Sequence, residues 1–456
     1  MTAVYKEILQ YIETHIMDEI NVTDIASVLG YSASHINKIF NTYSLFPIMD
    51  YIRRKKLYSA ANELNTGRKL IDISLDYGYE TPAGFYKAFK SVFGCSPTEY
   101  RNNFKNGGLN MQIFKEVKEH GHELVVFAHD KKLGLNAIIA IHSTILGPAF
   151  GGTRFWNYNS EGEALFDVLR LSKAMTFKCA AAGLKLGGGK AVIIGDPNIL
   201  KSPEFFYAYG KFVDSLGGRY YTANDVNIST TDILQINKAT PYVTGLPSVG
   251  GNPSPFTARG VLMGMKAGAS VVFGTDSLKD KTVAVLGLGN VGYNLCEMLH
   301  NEGARLKVFE LNPDTATKAV QQFGAEAIAT GDAFMSTECD ILAPCAMGAV
   351  LNTKNVKKLK CKLVAGASNN ILFDAATGDA LQMMDILYLP DYIINAGGVI
   401  NNSMEFLEGT YNLEAVNKKV DAIYETTLKI IALAKEKGIN TLKAADNYAE
   451  GIINSV

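Results

Sequence analysis

The chain has 456 residues, 47% hydrophobic and 20% charged, with a formal net charge of −1 at pH 7. That length suits roughly two to four domains with sizeable cores, and so small a net charge excludes a global electrostatic pull toward nucleic acid or membrane. With no signal-like leader, no long apolar run, and cysteines at 95, 179, 296, 339, 345 and 361 that form no CxxC pair or cluster with histidine, the expectation is a cytoplasmic chain with reduced thiols, no metal and no membrane partner.

Val4, Ile8, Leu9, Ile12 and Ile16 share one face of a helix over 3–17. In residues 21–40, Thr23 is a candidate N-cap, Gly30 fits a tight turn, and Ser32 caps a second helix that turns Ile36, Ile39 and Phe40 inward. This is a helix-turn-helix, with Ser34, His35, Asn37 and Lys38 facing outward as candidate DNA contacts. The pattern recurs over 71–101, with Ile73 and Leu75, the Gly78 turn, Thr81 as cap and Phe85 and Phe89 inward; Tyr86, Lys87 and Lys90 face out. RRKK (53–56) lies on the helix expected between the two motifs. Gly78-Tyr79, Phe85, Phe89, Phe93-Gly94, Ser96-Pro97 and Tyr100-Arg101 make residues 1–106 resemble the AraC-type DNA-binding domain, which implies DNA as a partner. This segment holds 12 Lys+Arg against 11 Asp+Glu, a net of +1, so each copy neutralises few phosphates and modest affinity is expected. A helical interaction domain is the alternative. Residues 102–110 (NNFKNGGLN) read as a short flexible linker.

Strand-like runs at Leu124–Ala128 and Leu135–Ile141 precede the glycine-rich loop GPAFGGTRFW (147–156), and helical periodicity over 161–182 leads into MTFKCAAAGLKLGGGK (175–190). Lys178 and Lys190 stand twelve positions apart there, with Gly187-Gly188-Gly189 directly before the second. Glycines admit a ligand against the backbone and tolerate positive-φ turns, so a glycine turn is expected before a buried strand at 191–195. A lysine held in so tight a place can lose affinity for its proton and act as a base or carboxylate clamp. A phosphate-binding P-loop is excluded, because Leu184 replaces its first glycine and Ala191 its Ser/Thr. A helix follows at 203–216, then TANDV (222–226), where Asp225 ends a strand; alone, such an aspartate is most simply a helix cap.

SPFTARGVLMGMKAG (254–268) opens another helix, and residues 281–310 then read strand, Gly287-x-Gly289-x-x-Gly292, helix, and a second strand ending on Glu310. Embedded in a βαβ unit with the acid 18 residues after Gly292, this glycine pattern is a dinucleotide fingerprint. Pyrophosphate meets the helix N-terminus, and a carboxylate at Glu310 suits a ribose diol and repels a 2′-phosphate, pointing to NAD. Asn370 and Asn395, in loops after later strands, are candidates for the nicotinamide or substrate, and 413–435 reads as one amphipathic helix.

GGTR (151–154), MTFK…GLKLGGGK, TANDV, GNPSPFTARGV (251–261), GLGNVG (287–292), CDILAPCA (339–346) and NAGGVIN (395–401) make residues 110–456 resemble the glutamate/leucine/phenylalanine/valine dehydrogenase family, closest to its leucine-type members. The resemblance implies an α/β fold: a catalytic and oligomerisation domain (110–250, with 435–456 packing back), a Rossmann NAD domain (251–434) and, ahead of both, the all-α double helix-turn-helix (1–106). It implies Lys190 as catalytic lysine, lowered in pKa, with Asp225 as its acid/base partner, and Lys178 on the substrate carboxylate. Gly151, Gly152 and Asn395 would lie near the substrate, and Phe150, Ala223, Val399 and Asn402 around its side chain. Gly287, Gly289, Asn290, Val291, Gly292, Glu310 and Asn370 would hold NAD. Phe150 carries no charge for a γ-carboxylate, so an apolar L-amino acid is expected, although Asn402 stands where leucine-type members carry valine and an unpaired buried amide costs roughly 1–3 kcal/mol. The implied protein is a homo-oligomeric, NAD-dependent amino-acid dehydrogenase. The alternative is a transcription regulator whose dehydrogenase body senses amino acid or NAD.

Overall fold

The computed structural model describes residues 3–43, 47–66, 68–79, 81–93, 96–105, 113–158, 160–346, 348, 350–407 and 411–456. Gly94, Cys95 and residues 106–110 of the expected linker lie outside the described residues. The chain divides into two compact units, Met1–Gln112 and Ile113–Val456, each taken by itself below. No helix of the described residues is long and apolar enough to cross a membrane.

In the first unit, Val22–Leu29 and Ala33–Tyr43 form one helix-turn-helix, and Leu70–Asp76 and Pro82–Phe93 the other. Gly30 (φ 73°) and Gly78 (φ 79°) make the turns from the left-handed region that glycine favours. Ser32 and Thr81 cap the second helices, accepting from the His35 and Gly84 N–H groups at 3.2 Å. The first motif's opening cap is Asn21, not Thr23: its side chain accepts from the Thr23 and Asp24 N–H groups while Asp24 reaches back to the Asn21 N–H. Leu75, expected inward, is 55% exposed. The first helix stops at Thr14, and Pro97–Lys105 is a helix running into the segment expected to be a linker. Ile8, Ile12, Ile25, Ile36 and Phe40 form one core, and Leu57, Ile73, Phe85 and Phe89 a second, one for each motif. Ile48–Glu63 contributes to both.

The second unit holds two sheets. In the first, Leu124–Asp130 pairs antiparallel with Leu135–Ser143, which pairs antiparallel with Gly187–Ile194; Ala149–Phe150 and Tyr220–Tyr221 follow in parallel, and Thr153–Trp156 also pairs with Gly187–Ile194. The strand over Gly187–Ile194 corrects the expected glycine turn. Gly187, Gly188 and Gly189 are ladder residues opposite Ala149, Phe150 and Ile141, and the left-handed reversal falls earlier, at Gly183 (φ 62°). Their missing Cβ atoms make room for neighbours: a Cβ on Gly188 would lie 2.1 Å from the Thr176 backbone N, and one on Gly189 2.7 Å from the Tyr220 ring.

The second sheet runs Leu387–Tyr388, Leu363–Val364, Ile341–Pro344, Thr282–Leu286, Arg305–Phe309, Glu326–Ala327, all parallel. Numbered by appearance in the chain, that is the 3-2-1-4-5-6 order of a Rossmann sheet, whose ligand crevice opens where strand order reverses, between Thr282–Leu286 and Ile341–Pro344. The region 413–435, expected as one helix, is two, Leu413–Asp421 and Ile423–Lys437, broken at Ala422. Arg259 fixes the first of these to the helix Ser254–Phe273 through a two-pronged pair with Asp421 (2.6 and 2.8 Å). The last helix, Thr441–Ile453, packs on Glu161–Ala181 as well as on Ile423–Lys437.

Candidate functional site

Lys178 and Lys190 reach one place from two elements. Ser160 caps the helix Glu161–Ala181, whose last turn carries Lys178; the chain reverses at Gly183 and returns as the strand that carries Lys190, 7% exposed. Asp225 follows the short strand Tyr220–Tyr221 and is held close by a parallel bridge between Thr153 and Asn224. Gly151 and Gly152 allow that approach: Cβ atoms there would fall 1.9 Å from the Gly189 carbonyl oxygen and 2.6 Å from that of Asn224. Asp225 Oδ2 then lies 2.8 Å from Lys190 Nζ and 3.4 Å from Arg154 Nε. Burial alone would raise the Asp225 carboxyl, but the Lys190 and Arg154 charges outweigh it and hold the group below its ordinary range. Arg154 is itself fixed by Asp167 at 2.8 Å, which also accepts from the Tyr158 hydroxyl. Asp225 is therefore an ionised partner of Lys190 and not a helix cap; Ser229 caps the helix that follows, Thr230–Asn237.

The facing wall comes from the second sheet. Asn395, 5% exposed, donates through Nδ2 to the Ala367 carbonyl (3.1 Å) and Asn369 Oδ1 (2.9 Å), while its own buried Oδ1 has no partner among the described residues. A buried acceptor left unpaired is costly, and an incoming N–H donor would satisfy it. Lys178 Nζ lies 3.4 Å from Asn369 Oδ1. Loss of solvent lowers the Lys178 ammonium to about 8, Asp391 pulling it back up and Lys190 pushing it further down, so the lowered lysine pKa expected in this stretch is realised at Lys178. Asn370, the sequence candidate, is exposed with φ 54°; the hydrogen bonds toward Lys178 and Asn395 belong to its neighbour Asn369.

Phe150 and Ala223 are buried, and Val399 packs against the same core. The Phe150 ring lies 5.8 Å from that of Phe406 at a 53° tilt, and Phe406 lies 4.1 Å from the parallel ring of Tyr221. Asn402 is buried, and its Oδ1 accepts from Asn401 Nδ2 at 3.3 Å. One turn on, Glu405 Oε2 accepts from the Gly245 and Leu246 N–H groups, tying the loop before Ser254–Phe273 to the helix Gly397–Leu407. Sequence reading passed over Arg154, Asn369 and Glu405. Arg154 had a signal, since it closes the GGTR motif, but the other two are marked only by contacts across the cleft.

The second glycine run forms a cradle. Gly287 has φ 91° and packs on Ala346, and a Cβ on Gly292 would lie 2.0 Å from the Gly287 carbonyl oxygen. Gly289 faces open space and is the N-cap of Asn290–Asn301, with no side-chain cap on the free N–H groups. Glu310 stands at its rim, accepting from the Leu288 N–H (2.6 Å) and the Asn312 N–H (2.9 Å). Asn290 is exposed and Val291 partly buried behind it. An uncapped helix end, a glycine leaving backbone accessible and a carboxylate at the rim together fit a dinucleotide.

On the first unit, Ser34, His35 and Lys38 are exposed and Asn37 is partly so; His35 stacks on Tyr31 at 5.1 Å. On the second motif Lys87 and Lys90 are exposed, whereas the Tyr86 hydroxyl is engaged with Thr98. Within RRKK, Arg53 pairs with Asp50, Lys55 with Glu13, and Lys56 donates to the Asp18 carbonyl.

Comparison with known proteins agrees with this geometry. Residues 122–242 match the dimerisation domain of Glu/Leu/Phe/Val dehydrogenases, 307–452 match the Glutamate/Leucine/Phenylalanine/Valine dehydrogenase model, and 25–103 match a helix-turn-helix domain. The chain is 51% identical to leucine dehydrogenase of Geobacillus stearothermophilus over 349 residues, covering 76% of this chain and 94% of that relative. It is 46% identical to phenylalanine dehydrogenase of Caldalkalibacillus thermarum, covering 75% and 93%. The crystal structure of L-tryptophan dehydrogenase from Nostoc punctiforme superposes with a TM-score of 0.67 at 44% identity, covering 75% of this chain and 99% of that one. This chain belongs to the Glu/Leu/Phe/Val dehydrogenase family and carries a helix-turn-helix domain ahead of the dehydrogenase body.

Proposed function

We propose that the second unit catalyses NAD-dependent oxidative deamination of an apolar L-amino acid to the 2-oxo acid and ammonium. The observation that carries this reading is the Lys190–Asp225 pair, 2.8 Å apart, facing Lys178 and the unpartnered Oδ1 of Asn395. The Lys178 ammonium holds the substrate carboxylate, and Asn395 Oδ1 accepts from the α-amino group. Gly287, Gly289, Asn290, Val291 and Gly292 would hold NAD, with Glu310 accepting from its ribose diol, and the cofactor would supply a hydride acceptor for Cα. Ionised Asp225 first draws a proton from the Lys190 ammonium; Lys190 then takes a proton from the water that attacks the resulting iminium carbon, and Asp225 passes its proton to the nitrogen as ammonia leaves. Phe150, Ala223 and Val399 give the side chain an apolar wall and no countercharge for a γ-carboxylate, and Asn402 adds one amide to it. Closing of the cleft excludes water from the hydride step.

Exposed Ser34, His35, Lys38, Lys87 and Lys90 support DNA binding by the first unit. The family supports a homo-oligomer, as does the edge strand Leu124–Asp130, on which Phe127 is 52% exposed; clustering several weak DNA readers raises avidity without new contacts. The test is NADH formation with leucine, valine, phenylalanine, tryptophan and glutamate, alongside duplex DNA binding at low salt. Turnover of apolar amino acids supports the enzyme, and a preference for glutamate overturns the substrate class. Amino-acid and NAD binding without turnover would instead make the chain a sensor-regulator.

A further inference from the structure

We propose that Cys339 and Cys361 form a dithiol site that a peroxide closes to a disulfide at the amino-terminal edge of the Rossmann sheet. The five cysteines among the described residues, 179, 296, 339, 345 and 361, are all free. Cys339 and Cys361 are set apart by strand register. Ile341 pairs with Leu363, Leu342 with Val364, and the bridge before them joins Glu338 to Lys360, each time an offset of 22. The same offset places Cys339 opposite Cys361, one rung beyond the Glu338–Lys360 bridge. Neighbouring strands lie about 4.8 Å apart, within the roughly 4.4–6.8 Å between Cα atoms that a disulfide spans. Register partners on parallel strands also present their side chains to the same face, and both sulfurs belong to one apolar cluster with Phe334 and Leu359.

The two thiols influence each other: the Cys361 thiol pushes Cys339 up, and the Cys339 thiol, with further help from nearby backbone groups, draws Cys361 down against burial. A surface cavity of about 410 Å³, lined by Thr282, Glu338, Cys339, Asp340 and Lys360, opens at Cys339, beside the buried Cys361, and admits a small oxidant. This edge is opposite the carboxyl-end crevice that holds the Gly287–Gly292 cradle.

With hydrogen peroxide as oxidant the chemistry balances. The Cys361 thiolate attacks one peroxide oxygen, the O–O bond breaks, and hydroxide leaves, giving a sulfenic acid. The Cys339 thiol attacks that sulfur and water leaves as the S–S bond forms; the proton shed by Cys361 converts the hydroxide to a second water. Two thiols are oxidised by two electrons and one peroxide is reduced to two waters.

The full chain is treated with stepwise hydrogen peroxide, alkylated, and mapped by mass spectrometry without reduction. The expected result is a linked pair of peptides containing Cys339 and Cys361, two hydrogens lighter than their sum, with two thiols lost together and both recovered by dithiothreitol. Cys339→Ser and Cys361→Ser should each abolish the link and leave the other cysteine without an internal partner. The proposal is overturned if both thiols remain alkylatable while other cysteines oxidise, or if either links to a different cysteine. The wild-type map decides this even where a serine variant folds poorly.

Discussion

Gly187-Gly188-Gly189 and Gly287-x-Gly289-x-x-Gly292 are both glycine runs next to a helix terminus, and they use the missing Cβ in different directions. In the first, the vacated space is filled by protein: Thr176, Tyr220 and the Ser143 carbonyl occupy it, so that the strand bearing Lys190 lies against the helix bearing Lys178. In the second, Gly287 and Gly292 are filled in the same way, but Gly289 faces nothing within 4 Å, at an uncapped helix end. One run brings two lysines together. The other leaves backbone N–H groups open for an anion. Glycine content says that something comes close, and only the surrounding chain says what.

The largest difference between the two runs is expected at Lys190. Lys190→Ala should lower kcat by about 10²–10⁴-fold while NAD affinity, which belongs to the other run, stays unchanged; equal losses in both would mean that the two runs act as one site. Gly188→Ala comes next. Its Cβ would meet the Thr176 N at 2.1 Å and its hydroxyl oxygen at 2.2 Å, a backbone clash expected to cost about 3 kcal/mol or more, read as a lower denaturation midpoint.

Acid should weaken the first region through the histidines beneath it. Burial and the neighbouring His142 charge lower His122 to about 3, and burial and the Lys173 charge lower His142 to about 4. His142 Nδ1 contacts the Thr176 hydroxyl (2.8 Å), which lies against Gly188. Unfolded imidazoles protonate near 6.5, so between about pH 6.5 and 4 the unfolded state binds more protons and stability falls with pH, by up to about 1.4 kcal/mol per pH unit for each histidine. His142→Gln should flatten that slope in urea titrations at pH 4.5–7.

Lys178 gives a smaller effect in the opposite pH direction. Its ammonium, at about 8, is charged below that pH and neutral above, so affinity for a 2-oxo acid should fall by up to about tenfold per unit as pH rises past 8. Lys178→Arg, which keeps its charge, should remove the dependence. The smallest change in stability is expected at the open glycine: Gly289→Ala should shift unfolding by no more than about 0.5 kcal/mol yet raise the KM for NAD. A large loss of stability there would mean that the cradle is a packing site like the first run.

Much of this arrangement was readable along the chain. The strand Thr282–Leu286, the glycines after it and Glu310 at the next strand's end stand within 29 residues, and the helix-turn-helix caps at Ser32 and Thr81 act over three. Structure departs from local expectation where short-range signals compete. Asn21 and Thr23 are both good caps, and Asn21 prevails because Asp24 completes a capping box with it. The Gly187–Gly189 run suggests a turn by composition, but partners on both sides draw it into a ladder.

The periodicities, the caps, the βαβ fingerprint and the family motifs are written into short stretches of chain, because dihedral preference and side-chain spacing act over a few residues. The family motifs already pair Asp225 with Lys190, 35 positions apart, but folding alone adds Arg154 to that pair across 71 positions and brings Asn369 to Lys178 across 191. It also decided that the lysine drawn down to about 8 is Lys178. Proton affinity follows the solvent and charge surrounding a group in space, and those neighbours come from segments that chain order leaves far apart.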